Sequence, residues 1–366
     1  MNVTMLIDLI AGARPNFMKI APIIKAINDR ESKEHKISFR LVHTGQHFDK
    51  NMSDSFFDEL GLPEPDVNLG AGGGTQAEQT AKIMIGYEKL LMSSPSDLCM
   101  VLGDVTSTVC AIDAKKMNIK VAHVEGGIRS GDLSMPEEIN RLVTDSITDY
   151  FFTTSEIANE NLRKSGIEDN KIHFVGNTMI DTLLANTSRF VKPEIWDIAH
   201  LIPGEYLVMT LHRPANVDQE ANLKFLIEEL INASKGLKII FPVHPRTRQV
   251  LNKLTIDAEN LILIEPQSYL RFNYLVQHAK AVITDSGGIT EETTVFGIPC
   301  MTLRANTERP ETIDIGTNVL LGTNPKSLAP AMEKLLSGHW KKGAIPPLWD
   351  GQTGYRIISI LEKLDQ

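Results

Sequence analysis

Short apolar runs rich in β-branched and aromatic residues alternate along the chain with longer segments whose apolar positions recur at helical spacing. This is the grammar of parallel α/β units. Runs at 5–11, 38–43, 98–102, 120–124, 150–153 and 171–175 read as strands. Between them, 15–28, 76–92, 107–117, 137–148 and 155–165 read as helices. Pro15 suits a first helical turn, where its missing N–H would have no partner in any case. The second half repeats the pattern, with strands at 206–211, 238–243, 261–264, 281–284, 300–303 and 318–320. Their helices fall at 222–234, 247–254, 270–278, 290–296 and 328–336. The stretch 187–204 holds Pro193, Pro203 and Gly204 but no strand pattern, so the domain boundary is placed there. The expected fold is α/β: two Rossmann-like doubly wound domains, 1–187 and 188–350, facing a cleft, with a C-terminal helix at 351–366 packing back on the first. In such sheets ligands sit beyond the carboxyl ends of the strands.

Length agrees with two domains, since 366 residues exceed what one core of roughly 150 residues holds. A composition of 42% hydrophobic and 23% charged residues is that of a soluble globular chain. Cys99, Cys110 and Cys300 match no zinc or redox spacing and read as reduced, buried thiols. The net charge of −9 argues against a nucleic-acid partner. Residues 4–11 are apolar but short, are interrupted by Asp8 and precede no cleavage site, so no secretory signal is expected. No apolar run approaches the ~20 residues of a membrane span. A cytoplasmic protein without a membrane partner is expected.

Candidate chemistry gathers just after the strands. The first strand ends in Gly12-Ala13-Arg14-Pro15, with Lys19 one turn on. A glycine turn entering a helix exposes N–H groups, and two cations at its mouth make an anion site. Neither a dinucleotide fingerprint nor a P-loop is present. A second such turn, Asp285-Ser286-Gly287-Gly288, lets a ligand approach the backbone, with Ser286 placed to cap the helix. Glu292 follows within that helix, in reach of a ribose if phosphates sit at the helix N-terminus. Acids recur at other strand ends: Asp104, Glu125, and Glu137 opening a helix that also carries Arg141. Carboxylates drawn together in a cleft push each other's proton affinity upward, which suits proton transfer near neutral pH. His212-Arg213 and His244-Pro245-Arg246 follow two strands of the second half and resemble a pyrophosphate clamp. No His or Glu spacing suggests a metal.

Together these segments resemble the non-hydrolysing UDP-N-acetylglucosamine 2-epimerases. The matching pieces, in family order, are 12–19, Thr44-Gly45-Gln46-His47, 103–108, 123–129, 136–141, 176–181, His212-Arg213, 285–292 and Glu308-Arg309-Pro310-Glu311. The resemblance implies a glycosyltransferase-B-like fold and reversible inversion at C2 of UDP-N-acetylglucosamine, giving UDP-N-acetylmannosamine. The implied route is elimination of UDP to a 2-acetamidoglucal and re-addition, with no cofactor and no metal. It further implies Asp104, Glu125, Glu137 and His212 as catalytic residues. Arg14, His244, Ser286, Gly287 and Gly288 would contact the diphosphate, Lys19, Arg141 and Arg309 would be site cations, and Glu292 would hold the ribose. A homodimer is what the family suggests.

The chain departs from the commonest family pattern in four places. Ala13 and Asn16 replace a usual Thr and Glu. The stretch before Pro136 is short, and His212-Arg213 continues as Pro214-Ala215-Asn216 without a second Arg and a Glu. Residues 46–49 and 70–75 lack the Gln and Arg of a second, regulatory substrate site, which implies that substrate activation is weak or absent. Segments 12–15, 72–75, 135–138 and 244–248 also look like relatives that epimerise UDP-2,3-diacetamido-glucuronic acid. The alternatives are therefore that substrate, a hydrolysing epimerase, a glycosyltransferase of the same architecture, or a nucleotide-sugar sensor without catalysis.

Overall fold

The computed structural model describes residues 5–30, 37–45, 59–256 and 258–364; Gln46 and His47 lie outside them. The chain divides into two compact units, Met1–Ala185 with Pro347–Gln366, and Asn186–Pro346.

In the first unit the strands are β1 (Met5–Ala11), β2 (Ile37–His43), β3 (Val67–Asn68), β4 (Leu98–Leu102), β5 (Lys120–Val124), β6 (Tyr150–Thr153) and β7 (Ile172–Phe174). Among the described residues they form a parallel sheet of order β3-β2-β1-β4-β5-β6-β7. The crossovers are α1 (Arg14–Asn28), α2 (Gln76–Ser93), α3 (Cys110–Lys116), α4 (Pro136–Ile147), α5 (Glu156–Lys164) and α6 (Thr178–Asn186). β3 and α6 have no counterpart in the sequence reading: β3 is only Val67–Asn68, too short for a period to register.

The second unit holds α7 (Ile195–Ile198), β8 (Tyr206–Thr210), α8 (Pro214–Val217), α9 (Glu220–Ala233), β9 (Lys238–Pro242), α10 (Pro245–Leu251) and β10 (Leu261–Ile264). It continues with α11 (Tyr269–His278), β11 (Ala281–Thr284), α12 (Gly287–Phe296), β12 (Cys300–Thr302), α13 (Pro310–Asp314), β13 (Asn318–Leu320) and α14 (Leu328–Leu336). Its parallel sheet has the order β10-β9-β8-β11-β12-β13. Both faces of this sheet are covered, and the two-residue period of a strand sorts neighbours to opposite cores. Leu207, Met209, Ile239, Phe241 and Ile283 enter one cluster. Tyr206, Val208, Ile240 and Val282 enter the other.

After α14 the chain returns to the first unit and ends in α15 (Thr353–Leu364), which packs on α1. The contact is close, because a Cβ at Gly354 would lie 2.3 Å from the Pro22 carbonyl oxygen. The buried Trp349 indole donates to the Thr154 carbonyl at 3.2 Å, and Arg30 donates to Ser359 Oγ at 2.6 Å. Cys99, Cys110 and Cys300 are buried free thiols. Among the described residues no helix is long and apolar enough to cross a membrane.

The returning helix is also tied down by Asp181 of α6, whose Oδ2 accepts the Gly354 N–H at 2.8 Å. Burial, only partly offset by that bond and by Thr353, pushes the Asp181 carboxyl up to about 6. An unfolded aspartate titrates at about 3.9, so the folded chain binds the extra proton and stability falls as pH rises between those values. Asp181→Asn keeps an acceptor and removes the charge. It should add about 1–3 kcal/mol to unfolding stability at pH 7.5 and nothing at pH 3.5, read by urea titration.

Candidate active site

In the first unit β4 and β5 run side by side, Leu102 opposite Val124, and Asp104 and Glu125 stand just past their ends. Glu125 has φ of +71°, a left-handed conformation that costs a non-glycine residue about 1–3 kcal/mol. The ladder holds it there: Gly103 N–H donates to the Val124 carbonyl at 2.9 Å and Glu125 N–H to the Phe152 carbonyl at 2.8 Å. Gly103 also turns through positive φ, and a Cβ on it would sit 2.8 Å from Lys19 Nζ. Its bare Cα leaves room for the buried ion pair Lys19 Nζ–Glu125 Oε2 at 2.7 Å.

Asp104 is half-buried and ion-paired with Arg141 of α4. The same guanidinium reaches Glu138 at 2.8 Å, and Asn140 Nδ2 donates to the Asp104 carbonyl at 2.8 Å. Burial pushes the Glu138 carboxyl up, but N–H donation from Ser130 and Gly131 and the Arg141 contact outweigh it and hold Glu138 below its ordinary value. Glu138, which the sequence reading did not single out, is thus the anchor of Arg141. The adjacent Glu137 in the first turn of α4 is half-buried. It lies one turn before Arg141, hence on the same side of the helix. Asp104 and Glu125 are therefore each matched with a cation instead of being set against each other as the sequence suggested.

The loop carrying Arg14 is fixed by Asn16. Its Oδ1 accepts the Gly12 and Ala13 N–H groups, each at 3.0 Å, and its Nδ2 donates to the Leu102 carbonyl at 2.9 Å. Behind the acid-bearing turns lies a buried network. His123 Nε2 is 2.8 Å from the Gly103 carbonyl, and Nδ1 is 2.7 Å from Asp145 Oδ1. Asp145 Oδ2 accepts the Gly127 N–H at 3.1 Å and meets Arg129 at 2.6 Å. Burial favours a neutral Asp145, yet His123 and Arg129 prevail and hold its carboxyl low.

In the second unit Asp285, fully buried at the end of β11, organises the turn after β8. It accepts the Arg213 N–H at 2.9 Å, the His212 N–H at 3.1 Å and Asn216 Nδ2 at 3.0 Å, and it pairs with His212 Nδ1 at 2.7 Å. Burial opposes ionisation of Asp285, but these donors, His212 first, hold its carboxyl below the usual range. The His212 ring is half-exposed. On the neighbouring β9 end, His244 Nδ1 accepts the Arg246 N–H at 3.3 Å; burial, then His212 and Arg246, lower its imidazole. Ser286 is the N-cap residue of α12, but contrary to the sequence expectation its side chain makes no capping bond. Its N–H donates to Thr284 Oγ1 at 3.0 Å.

Gly287 and Gly288 form the first turn of α12. Gly287 faces Arg304, whose Nη1 would be 3.7 Å from a Cβ there. Arg304 is buried and paired with Glu308 at 2.8 Å, and Arg213 approaches Glu308 at 3.9 Å. Arg309 is buried and paired with Glu291 of α12 at 2.7 Å. Glu292, one residue on, is buried and receives Asn273 Nδ2 at 3.4 Å; burial pushes its carboxyl up to about 7. Arg304 carried no signal in the sequence, since only folding brings it to the α12 terminus. Among the described residues no group of His, Cys, Asp and Glu side chains is arranged to hold a metal ion. The first unit thus presents carboxylates matched with cations, a proton-transfer chemistry. The second presents a helix N-terminus flanked by imidazoles and guanidinium groups, an anion site.

The family described as UDP-N-acetylglucosamine 2-epimerase matches residues 30–362. A UDP-N-acetylglucosamine 2-epimerase of Methanocaldococcus jannaschii is 41% identical over 98% of this chain and 99% of its own. The crystal structure of the Methanocaldococcus jannaschii UDP-GlcNAc 2-epimerase in complex with UDP-GlcNAc and UDP superposes with a TM-score of 0.86 at 40% identity, covering 98% of this chain and all of that one. A UDP-2,3-diacetamido-2,3-dideoxy-D-glucuronate 2-epimerase of Pseudomonas aeruginosa is 38% identical over 97% of this chain and 99% of its own. A lipopolysaccharide outer core galactosyltransferase, 15% identical with a TM-score of 0.57, shares the fold.

Asp285→Asn removes the charge that the His212 turn is built around. The Asp285 carboxyl titrates lower folded than unfolded, so its contribution is present at neutral pH and is lost as pH falls below the ordinary aspartate range. The variant should unfold about 2–4 kcal/mol more easily at pH 7 and converge on the parent towards pH 3 in denaturant titrations.

Proposed function

The chain belongs to the UDP-N-acetylglucosamine 2-epimerase family, and on that premise we propose that it epimerises UDP-N-acetylglucosamine and UDP-N-acetylmannosamine reversibly at C2. The observation that carries this reading is the set of carboxylates in the first unit, with Asp104 and Glu125 each paired to a cation and Glu137 opening the helix that supplies Arg141. A glycosyltransferase needs at most one base at this edge, and a sensor needs none.

The C2 proton of the hexose is barely acidic, so a positioned carboxylate removes it while the C1–O bond to UDP breaks. The electron pair of the C2–H bond becomes the C1–C2 double bond of a 2-acetamidoglucal, and the C1–O pair leaves with UDP. Re-addition of UDP at C1, with protonation of C2 on the opposite face, gives the epimer. Asp104, Glu125 and Glu137 are assigned these proton transfers. Lys19 and Arg141 orient Glu125 and Asp104 through the contacts described. In the second unit His212, His244, Ser286 and the N–H groups of Gly287 and Gly288 are assigned to the diphosphate, whose charge grows as it leaves. Arg14 and Arg309 are assigned supporting roles as cations, and Glu292 the ribose.

UDP-2,3-diacetamido-glucuronic acid is the second substrate worth testing, on the strength of the Pseudomonas relative. The reading carries with it a homodimeric, cytoplasmic enzyme, an expectation drawn from the family resemblance and the composition.

Proton NMR in heavy water with each UDP-sugar tests the reading directly. Deuterium should enter C2 of one of them, and the epimer should form without free UDP accumulating. Asp104→Asn, Glu125→Gln and Glu137→Gln should each lower that exchange by about 10²–10⁴-fold. Near-parental rates in all three would overturn the assignment. Because Glu292 titrates near neutrality, ionising it should strengthen its acceptance of ribose hydroxyls. Glu292→Gln should therefore weaken UDP-N-acetylglucosamine binding more at pH 8 than at pH 6 in calorimetric titrations.

A further inference from the structure

His123 sits on β5, two residues before Glu125, and is fully buried. Its two ring nitrogens meet the Gly103 carbonyl at 2.8 Å and Asp145 Oδ1 at 2.7 Å. A carbonyl oxygen only accepts, so Nε2 carries a proton. An ionised carboxylate also only accepts, so Nδ1 carries one too. A neutral imidazole has a single N–H and would set a lone pair against one of these oxygens. Asp145 is ionised, since its other oxygen already receives the Gly127 N–H and the Arg129 guanidinium.

The groups facing this ring agree. α4 supplies Asp145, whose other oxygen is met by Arg129 of the turn after β5, and the register neighbours of His123 in the sheet, Val101 of β4 and Phe151 of β6, are uncharged. With the neighbouring Arg141, Asp104 and Glu138, the cations Lys19, Arg129 and Arg141 face the carboxylates Asp104, Glu125, Glu138 and Asp145.

We propose that His123 and Asp145 form a buried imidazolium–carboxylate clasp that positions the acid-bearing turns, making both positioning residues for the C2 chemistry. The Gly103 carbonyl is one peptide before Asp104, the Gly127 N–H is two residues after Glu125, and Asp145 lies two turns along α4 from Glu137. The segments bearing all three acids therefore converge on one ion pair. The clasp rests on the epimerase reading for its purpose but not for its charge or its geometry.

The test uses the full chain. In the parent protein labelled with ¹⁵N-histidine, both His123 ring nitrogens should resonate as N–H at pH 7.5; a singly protonated ring overturns the charged clasp. His123→Gln retains a donor towards Gly103 without charge, and Asp145→Asn retains shape without charge. Both should speed amide hydrogen exchange in 103–106 and 125–131 while leaving the second unit and UDP affinity unchanged. For C2 exchange, kcat should fall by about 10²-fold with KM nearly constant, the signature of misplaced acids. Parental amide exchange and parental kcat in His123→Gln would overturn the positioning role. If a variant fails to fold, the ring nitrogens of the parent still decide the charge. If the parent turns over neither UDP-sugar, the functional reading falls while the ring and amide measurements still judge the clasp.

Discussion

A buried carboxylate is tolerable only when something positive meets it, and that requirement shapes the strand-end turns of both units. Removing an unpaired ionised carboxylate from water costs many kcal/mol, so the group either neutralises or acquires partners. Here Glu125 has Lys19, Asp104 has Arg141, Asp145 has His123 and Arg129, and Asp285 has His212 with two turn amides. Each pairing reaches between different strand ends or from a helix to a strand end. Satisfying the charges therefore also fixes the turns.

The two units apply the same device to different chemistry. In the first, the carboxylates gather past the ends of β4 and β5, and the strained φ of Glu125 is held by ladder hydrogen bonds on either side. The second unit buries its acid beneath a turn. Asp285 organises N–H donors and an imidazole around a helix N-terminus that is left without a side-chain cap. An uncapped terminus keeps its N–H groups available for an anion.

Helix α4 shows where sequence patterning is legible and where it misleads. Its helical period is plain from 137 to 148, and Glu137 of its first turn was singled out as chemistry. Yet its buried residues are Glu138, Arg141, Thr144 and Asp145, while Ile139, Leu142 and Val143 are exposed. A rule that turns apolar side chains inward would rotate this helix the wrong way. The ion pairs of Arg141 and Asp145 with strand ends, which involve residues far apart in sequence, set its orientation. Asn16 is similar: the sequence marks it only as a departure from the family pattern, and the fold uses it to bind that loop to the end of β4.

By itself the sequence determined the alternation of strands and helices, the parallel α/β class and the strand-end location of the chemistry. Those follow from short-range periodicity and from the residues that terminate strands, both of which are local. It also placed Asp104, Glu125, Glu137, His212 and the Ser286-Gly287-Gly288 turn, because each sits within a few residues of a strand or helix terminus. Only the tertiary structure decided which cation meets which acid, that Glu138 anchors Arg141, and that Arg304 reaches the α12 terminus. It alone revealed His123 joined to Asp145. These are contacts across strands and between elements, and one-dimensional spacing carries no record of which charges must share a dry environment.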